Sequence, residues 1–241
     1  MQEFKRVEGR PVLFTVGDST MENKDSDPDG MWGWGSVLET VFDTTRITTV
    51  NAGKAGRSAR TFLDEGRWEK VYNAIRPGDF VAIQFGHNDF GQITKPPYRA
   101  ELAGTGDESM TFFMPNLHEY KVVYTYGWYL RKFVDEVLEK GGIPILLSVT
   151  PRNIWKDGKI ERRNDTYVQW VKEVAAQMGC AFVDVHNLSA DFFDSIGQEQ
   201  TAAYYKKDHT HTSRSGAERN AASFAEGLKA ISHPLADYLK K

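Results

Sequence analysis

Five short apolar runs alternate with longer amphipathic stretches along the chain. "PVLFTVG" (11–17), "ITTVNAG" (47–53), "DFVAIQFG" (79–86), "IPILLSVT" (143–150) and "AFVDV" (181–185) are rich in β-branched residues and lack strict in–out alternation. Such runs suit strands covered on both faces, as in a parallel sheet. Helical spacing of apolar positions occupies 35–42, 65–75, 121–142, 161–179 and 213–231. The second of these stops at Arg76-Pro77-Gly78 and the third at the pair Gly141-Gly142, both strong helix terminators. The alternation predicts an α/β protein, a three-layer α/β/α sandwich around a central parallel sheet. No internal repeat, linker or low-complexity segment interrupts it, so residues 1–241 are expected to form one domain.

One segment breaks the rhythm. Residues 90–119, "FGQITKPPYRAELAGTGDESMTFFMPNLHE", form a Gly/Pro-punctuated insertion after the third predicted strand. Loops of this length in compact domains are usually functional or disordered. Tyr98, Phe112, Phe113 and Met114 favour order here.

Ligands of open α/β sheets bind outside the carboxyl ends of the strands. Three predicted strands end in polar, glycine-containing tips. These are Gly17-Asp18-Ser19, then Asn51-Ala52-Gly53 running on to Gly56-Arg57-Ser58, then Gly86-His87-Asn88-Asp89. All three are expected on one edge of the sheet. A fourth element, "KKDHTHTS" (206–213), precedes the last long helix and places Asp208 and His211 three apart. On a turn entering a helix that spacing puts both side chains on one side. The carboxylate then accepts from imidazole Nδ1 and leaves Nε2 free to take a serine proton. Ser19 needs such a base, because a serine hydroxyl alone is a weak nucleophile. The backbone N–H groups of Ser19 and Gly56 and the side-chain amide of Asn88 are candidate oxyanion donors.

These four ordered blocks resemble those of the SGNH, or GDSL, hydrolase superfamily. Within it, "GDSTM", "NAGKAGRSARTF", "QFGHND" and "DHTHTS" are similar to the rhamnogalacturonan acetylesterase family, and the likeness runs from the first strand to the last helix. The resemblance implies a flavodoxin-like sandwich and no cofactor. It implies Ser19 as nucleophile, His211 as base, Asp208 as its orienter, and Ser19, Gly56 and Asn88 as the oxyanion hole. Arg57, His87 and His209 are the candidates for substrate binding. Against this, Arg57 equally suits a salt bridge, His87 a structural hydrogen bond, and His209 a loop cap. Asp18 is expected to steady the Ser19 loop, Trp32 and Trp34 to pack on the core, and His118, His186 and His233 to be bystanders. Ser58 is a rival nucleophile without an acid or a base in its own block.

Composition narrows the partners. With 30 Lys and Arg against 33 Asp and Glu, the net charge of −3 argues against a broad nucleic-acid footprint. No apolar stretch approaches the ~20 residues of a membrane helix. Cys180 is the only cysteine, so an intramolecular disulfide and a cysteine zinc site are excluded, and it is expected to pack as a small apolar residue. No metal is expected at Asp208, His209 and His211 either, since no further His or Glu stands on a strand tip. Residues 1–16 lack the apolar core and cleavage site of a signal peptide. As written the chain reads as cytoplasmic; a chain trimmed of its leader would read the same and be secreted.

The expected activity is a serine esterase removing acetyl groups from a pectic, rhamnogalacturonan-type carbohydrate. Arg57, Arg60, Lys206 and Lys207 are expected beside the cleft, where they would favour an acidic chain. A lysophospholipase, thioesterase or acetylxylan esterase of the same superfamily is the alternative within the class. The polar run at 105–109 argues against an acyl-chain trough. A non-catalytic carbohydrate-binding protein is the alternative outside it.

Overall fold

The computed structural model describes residues 4–205 and 207–241. Lys206, named above as a cleft cation, lies outside the described residues. Five parallel strands form the central sheet: β1 (Val12–Gly17), β2 (Thr48–Asn51), β3 (Phe80–Gln84), β6 (Ile143–Leu147) and β9 (Ala181–Val183). Their order is β2-β1-β3-β6-β9. Two antiparallel pairs lie outside the sheet, β4 (Ser109–Met114) with β5 (Glu119–Tyr124), and β7 (Trp155–Lys156) with β8 (Lys159–Ile160). The helices are α1 (Ser19–Glu22), α2 (Ala59–Asp64), α3 (Arg67–Ala74), α4 (Tyr126–Glu139), α5 (Tyr167–Met178), α6 (Val185–Ile196), α7 (Gln198–Thr201) and α8 (Arg214–Ala230).

The continuous apolar runs serve two cores at once. In β1, Val12, Phe14 and Val16 face a layer holding Phe62, Trp68, Leu130 and Val171 of α2 to α5. Leu13 faces the other way, toward Ala221 and Phe224 of α8 and Val185 of α6. The register Leu13↔Phe80 and Phe14↔Val81 continues both sets into β3. This is the expected three-layer sandwich, and each fully buried Leu or Phe contributes about 1.5–3 kcal/mol toward it.

Three local expectations are corrected, and one helix went unmarked by the pattern. Residues 35–42 do not form an α-helix but two single 3₁₀ turns, Trp34–Ser36 and Leu38–Thr40. Tertiary ties override the periodicity there. Ser36 Oγ donates to the Glu22 carbonyl (2.8 Å), and Phe42 is drawn into a bridge with Leu239. The 121–142 pattern begins as strand β5, which pairs with β4 of the insertion; Thr125 then caps α4 by accepting from the Trp128 N–H (3.1 Å). The insertion is thus half of a hairpin, and it is ordered. The helix predicted from 161 starts only at Tyr167, because β8 and the Arg162 ion pairs with Asp191 and Asp194 hold the chain before it. Helix α6 was not predicted, although Asp184 caps it by accepting from the Asn187 N–H (3.2 Å).

Candidate active site

The three strand tips meet at the carboxyl edge of the sheet. β1 ends at Gly17, where an added Cβ would lie 2.6 Å from the Gln84 carbonyl, so only glycine lets β1 run this close to β3. Asp18 then caps the single turn α1 and accepts from Thr20 N–H (2.8 Å) and Oγ1–H (2.9 Å). Ser19 opens that turn and is 8% exposed as a residue. Asn51 at the end of β2 donates to the Met21 carbonyl (2.8 Å), and Glu22 accepts from the Ala55 N–H (2.5 Å). These bonds tie the Ser19 turn to the loop that carries Gly56.

Ser19 Oγ lies 2.8 Å from His211 Nε2 although the two are 192 residues apart. His211 Nδ1 lies 2.7 Å from Asp208 Oδ2. Asp208 Oδ1 accepts the backbone N–H groups of Thr210 (2.6 Å) and His211 (2.7 Å). Burial alone would raise the Asp208 pKa, but these bonds outweigh it and hold the carboxyl below its usual range. An ionised carboxylate only accepts, so Nδ1 carries the proton and Nε2 is the acceptor facing Ser19. Trp32 anchors the same loop: its N–H donates to the Thr212 carbonyl (2.8 Å) and its carbonyl accepts from Thr212 Oγ1 (2.7 Å).

The third tip is fastened by a carboxylate. Asp89, fully buried, accepts from the N–H groups of Ala59 (2.8 Å), Gly86 (2.8 Å) and Asn88 (3.2 Å). Glu101 of the insertion, also buried, accepts from the Arg60 N–H (3.1 Å). Burial first, then the charge of Asp89, pushes the Glu101 carboxyl well above the carboxylate range. Asn88 Nδ2 donates to the Arg57 carbonyl (3.1 Å) and its Oδ1 accepts from Arg99 Nη1 (2.9 Å). An amide so held keeps its NH₂ on the side of the Gly56 loop. A hydroxyl bonded to a base that a carboxylate orients is equipment that acyl transfer can use.

The GDSL-like lipase/acylhydrolase family model matches residues 15–219. The chain belongs to this family. It is a carboxylic ester hydrolase. Among its relatives, a rhamnogalacturonan acetylesterase of Emericella nidulans is 30% identical over 95% of this chain and 89% of its own length. A probable rhamnogalacturonan acetylesterase of Bacillus subtilis is 28% identical over 95% of this chain and 97% of its own. Among solved structures, the B. subtilis protein YxiM superposes with a TM-score of 0.75 at 23% identity, covering 93% of this chain and 58% of that one. That likeness concerns the fold.

In this esterase the other expected site residues fall in different places. Arg57 Nε is held between both oxygens of Glu65 (3.0 and 3.1 Å), yet it borders an open cleft beside Gly56. His87 is 7% exposed and bonds Thr150 Oγ1 through Nε2 (3.2 Å); burial, then the charges of Arg152 and Arg163, keep it neutral. His209 has an exposed side chain, and its carbonyl accepts from the Asn153 N–H (2.7 Å). Ser58 is fully buried, donates to the Arg99 carbonyl (2.6 Å) and caps α2. Arg60, expected as a cation beside the cleft, does line it, but it is 2% exposed, pairs with Asp64 and donates to the carbonyls of Tyr98 and Ala100, so its charge is already committed. Lys207 pairs with Asp25 (3.2 Å). Trp34 is fully buried and donates to Gln84 Oε1 (2.8 Å). His186 accepts from the Arg163 N–H (3.2 Å), and His233 caps the turn at Pro234–Tyr238. Sequence reasoning missed Arg99, which sits in the part of the chain least like the family blocks. Among the described residues no helix is long and apolar enough to cross a membrane, and no group of three or more His, Cys, Asp or Glu is placed to hold a metal ion.

Proposed function

We propose that this esterase removes O-acetyl groups from a rhamnogalacturonan-type pectic carbohydrate, with Ser19 as nucleophile, His211 as base and Asp208 as its orienter. The observation that carries the catalytic part is the Ser19–His211–Asp208 relay, with links of 2.8 and 2.7 Å. The names of the relatives support the substrate class. In this reading Ser19 Oγ bonds the acetyl carbonyl carbon as its proton passes to His211 Nε2. The N–H groups of Ser19 and Gly56 and the Asn88 amide receive the oxyanion. The sugar oxygen then leaves with the Nε2 proton. Water gives a proton to Nε2 and attacks the acetyl-enzyme, and collapse returns a proton to Ser19 and frees acetate.

Two experiments test the proposal. Ser19→Ala is expected to abolish acetate release with melting temperature kept; residual turnover above a few per cent removes Ser19 as nucleophile. A panel of acetylated rhamnogalacturonan and xylan oligosaccharides is expected to favour the former by at least roughly tenfold in kcat/KM, about 1.4 kcal/mol. A preference for xylan overturns the substrate assignment.

A further inference from the structure

A cleft of about 530 Å³ opens beside Gly56, between α2 and the β4–β5 hairpin. Four cations and three carboxylates line it. Three of the cations are taken. Arg57 pairs with Glu65, Arg60 with Asp64, and Lys121 with Glu119. Among the described residues Arg99 has no carboxylate partner. Its carbonyl is fixed by Ser58 Oγ (2.6 Å), so the residue is anchored at its backbone. Its Nη1 donates to Asn88 Oδ1, the oxygen of the proposed oxyanion amide. The guanidinium also covers Gly56: a Cβ built there would lie 3.1 Å from Nη2 and 3.2 Å from Cζ. One planar cation therefore touches both the Gly56 and the Asn88 sides of the oxyanion site, with donor edges left over in an open cleft.

We infer that Arg99 forms a carboxylate subsite, taking the acid group of a uronate neighbouring the acetylated sugar, and that it is at the same time the positioning residue of the Asn88 amide. The inference rests on the pectic reading for its ligand, while its geometry stands apart from it. A guanidinium presents a rigid fork of N–H donors that matches a carboxylate in two parallel bonds. Each neighbouring cation already has a carboxylate partner, although Arg57 shares Glu65 with Arg67, so Arg99 is the lining cation whose donors are not committed to an acid. An acid group docked there would draw on the group that orients Asn88, so recognition of the chain and readiness of the oxyanion site would be set by one side chain.

The probe is unacetylated trigalacturonate, with its methyl ester as the uncharged control. Each is used as a competitive inhibitor of p-nitrophenyl acetate hydrolysis. The wild-type protein is expected to bind the acid about tenfold or more tightly than the ester, the scale of one charge-assisted bidentate contact. Arg99→Met is expected to erase that difference and to lower kcat on p-nitrophenyl acetate several-fold with KM little changed. Arg99→Lys, which keeps the charge but not the fork, is expected to retain part of the acid preference and part of the kcat. Equal inhibition by acid and ester in the wild type, a measurement that needs no variant, overturns the subsite. So does an acid preference unchanged in a folded Arg99→Met. A kcat unchanged in the same variant overturns the positioning role. If acetylated xylan proves the better substrate while Arg99→Met still abolishes the acid preference, the subsite stands and the pectic assignment falls.

Discussion

Asp208→Asn should disable this esterase by turning its histidine the wrong way. Asp208 Oδ1 accepts two backbone N–H groups, Thr210 at 2.6 Å and His211 at 2.7 Å, and Oδ2 faces His211 Nδ1 at 2.7 Å. An asparagine has one oxygen and one NH₂ to place in those two positions. With its oxygen toward the two N–H donors, its NH₂ points at Nδ1. The ring must then accept at Nδ1 and carry its proton on Nε2, where it can no longer take one from Ser19. The opposite amide orientation restores the working tautomer but loses two hydrogen bonds of about 1 kcal/mol each and sets two N–H groups against an NH₂, at about 1–3 kcal/mol apiece. The side chain is 40% exposed, so water relieves part of this and the low end applies. A preference of roughly 3–4 kcal/mol leaves the working tautomer at about one part in 10²–10³.

Loss of the carboxylate opposite the imidazolium formed during turnover adds to that. The expected fall in kcat is about 10³–10⁴, comparable to what this change does in other serine triads. The assay is p-nitrophenyl acetate turnover, paired with ¹⁵N chemical shifts of the His211 ring. The wild type should show Nδ1–H and the variant Nε2–H. A variant within tenfold of wild-type kcat, or one that keeps Nδ1–H, refutes the reasoning.

Three further outcomes follow from the geometry. Asn88→Ala should lower kcat by about 10²–10³, as loss of one side-chain oxyanion donor does, and a change confined to KM would remove that role. Gly56→Ala should lower turnover and cost about 1–2 kcal/mol of stability, because φ is +76° there and the new Cβ meets the Arg99 guanidinium at 3.1 Å; unchanged kcat in the folded variant would contradict the need for glycine. Burial raises the Asp18 pKa from 3.8 to about 6, so this group's contribution to stability is present below pH ~4 and lost as pH rises through about 6. Asp18→Asn keeps the cap and drops the charge, so its melting temperature relative to wild type should rise between pH 4 and pH 7.5, by up to about 3 kcal/mol of relative stability; a pH-independent difference would refute the assignment.

The layer order of the fold was legible because both faces of the sheet are covered. A strand such as β1 must be apolar at every position, Val12 and Phe14 for one core and Leu13 for the other, and that signature survives without any knowledge of partners. What misled was local pattern decided by distant pairing. Residues 121–124 carry apolar spacing that suits a helix, and only β4 across the hairpin makes them a strand. Residues 35–42 likewise yield to Glu22 and Leu239. Helix α6 carried a usable signal in Asp184 followed by Val185, Leu188 and Phe192.

The candidate site divides along the same line. Asp208 and His211 were legible because a three-residue spacing in one turn nearly fixes their relation. Ser19 was legible because a strand tip of a parallel sheet is where such a group belongs. The electrostatics of the cleft were not, since charge in a sequence does not reveal pairing. Of the cations expected there, Arg60 is buried in the wall, while Arg57 and Lys207 answer to Glu65 and Asp25. Arg99, the cation left over, belongs to the insertion, and nothing nearby in the sequence marks it. Its position explains a demand that the second block makes on its own account. Glycine suits position 56 twice, once for a backbone at +76° and once because a Cβ there would lie 3.1 Å from the Arg99 guanidinium, closer than an ordinary contact. The first requirement can be guessed from a turn. The second exists only when residues 56, 88 and 99 are brought to one point, so the insertion belongs to the construction of the proposed oxyanion site and is not an ornament beside it.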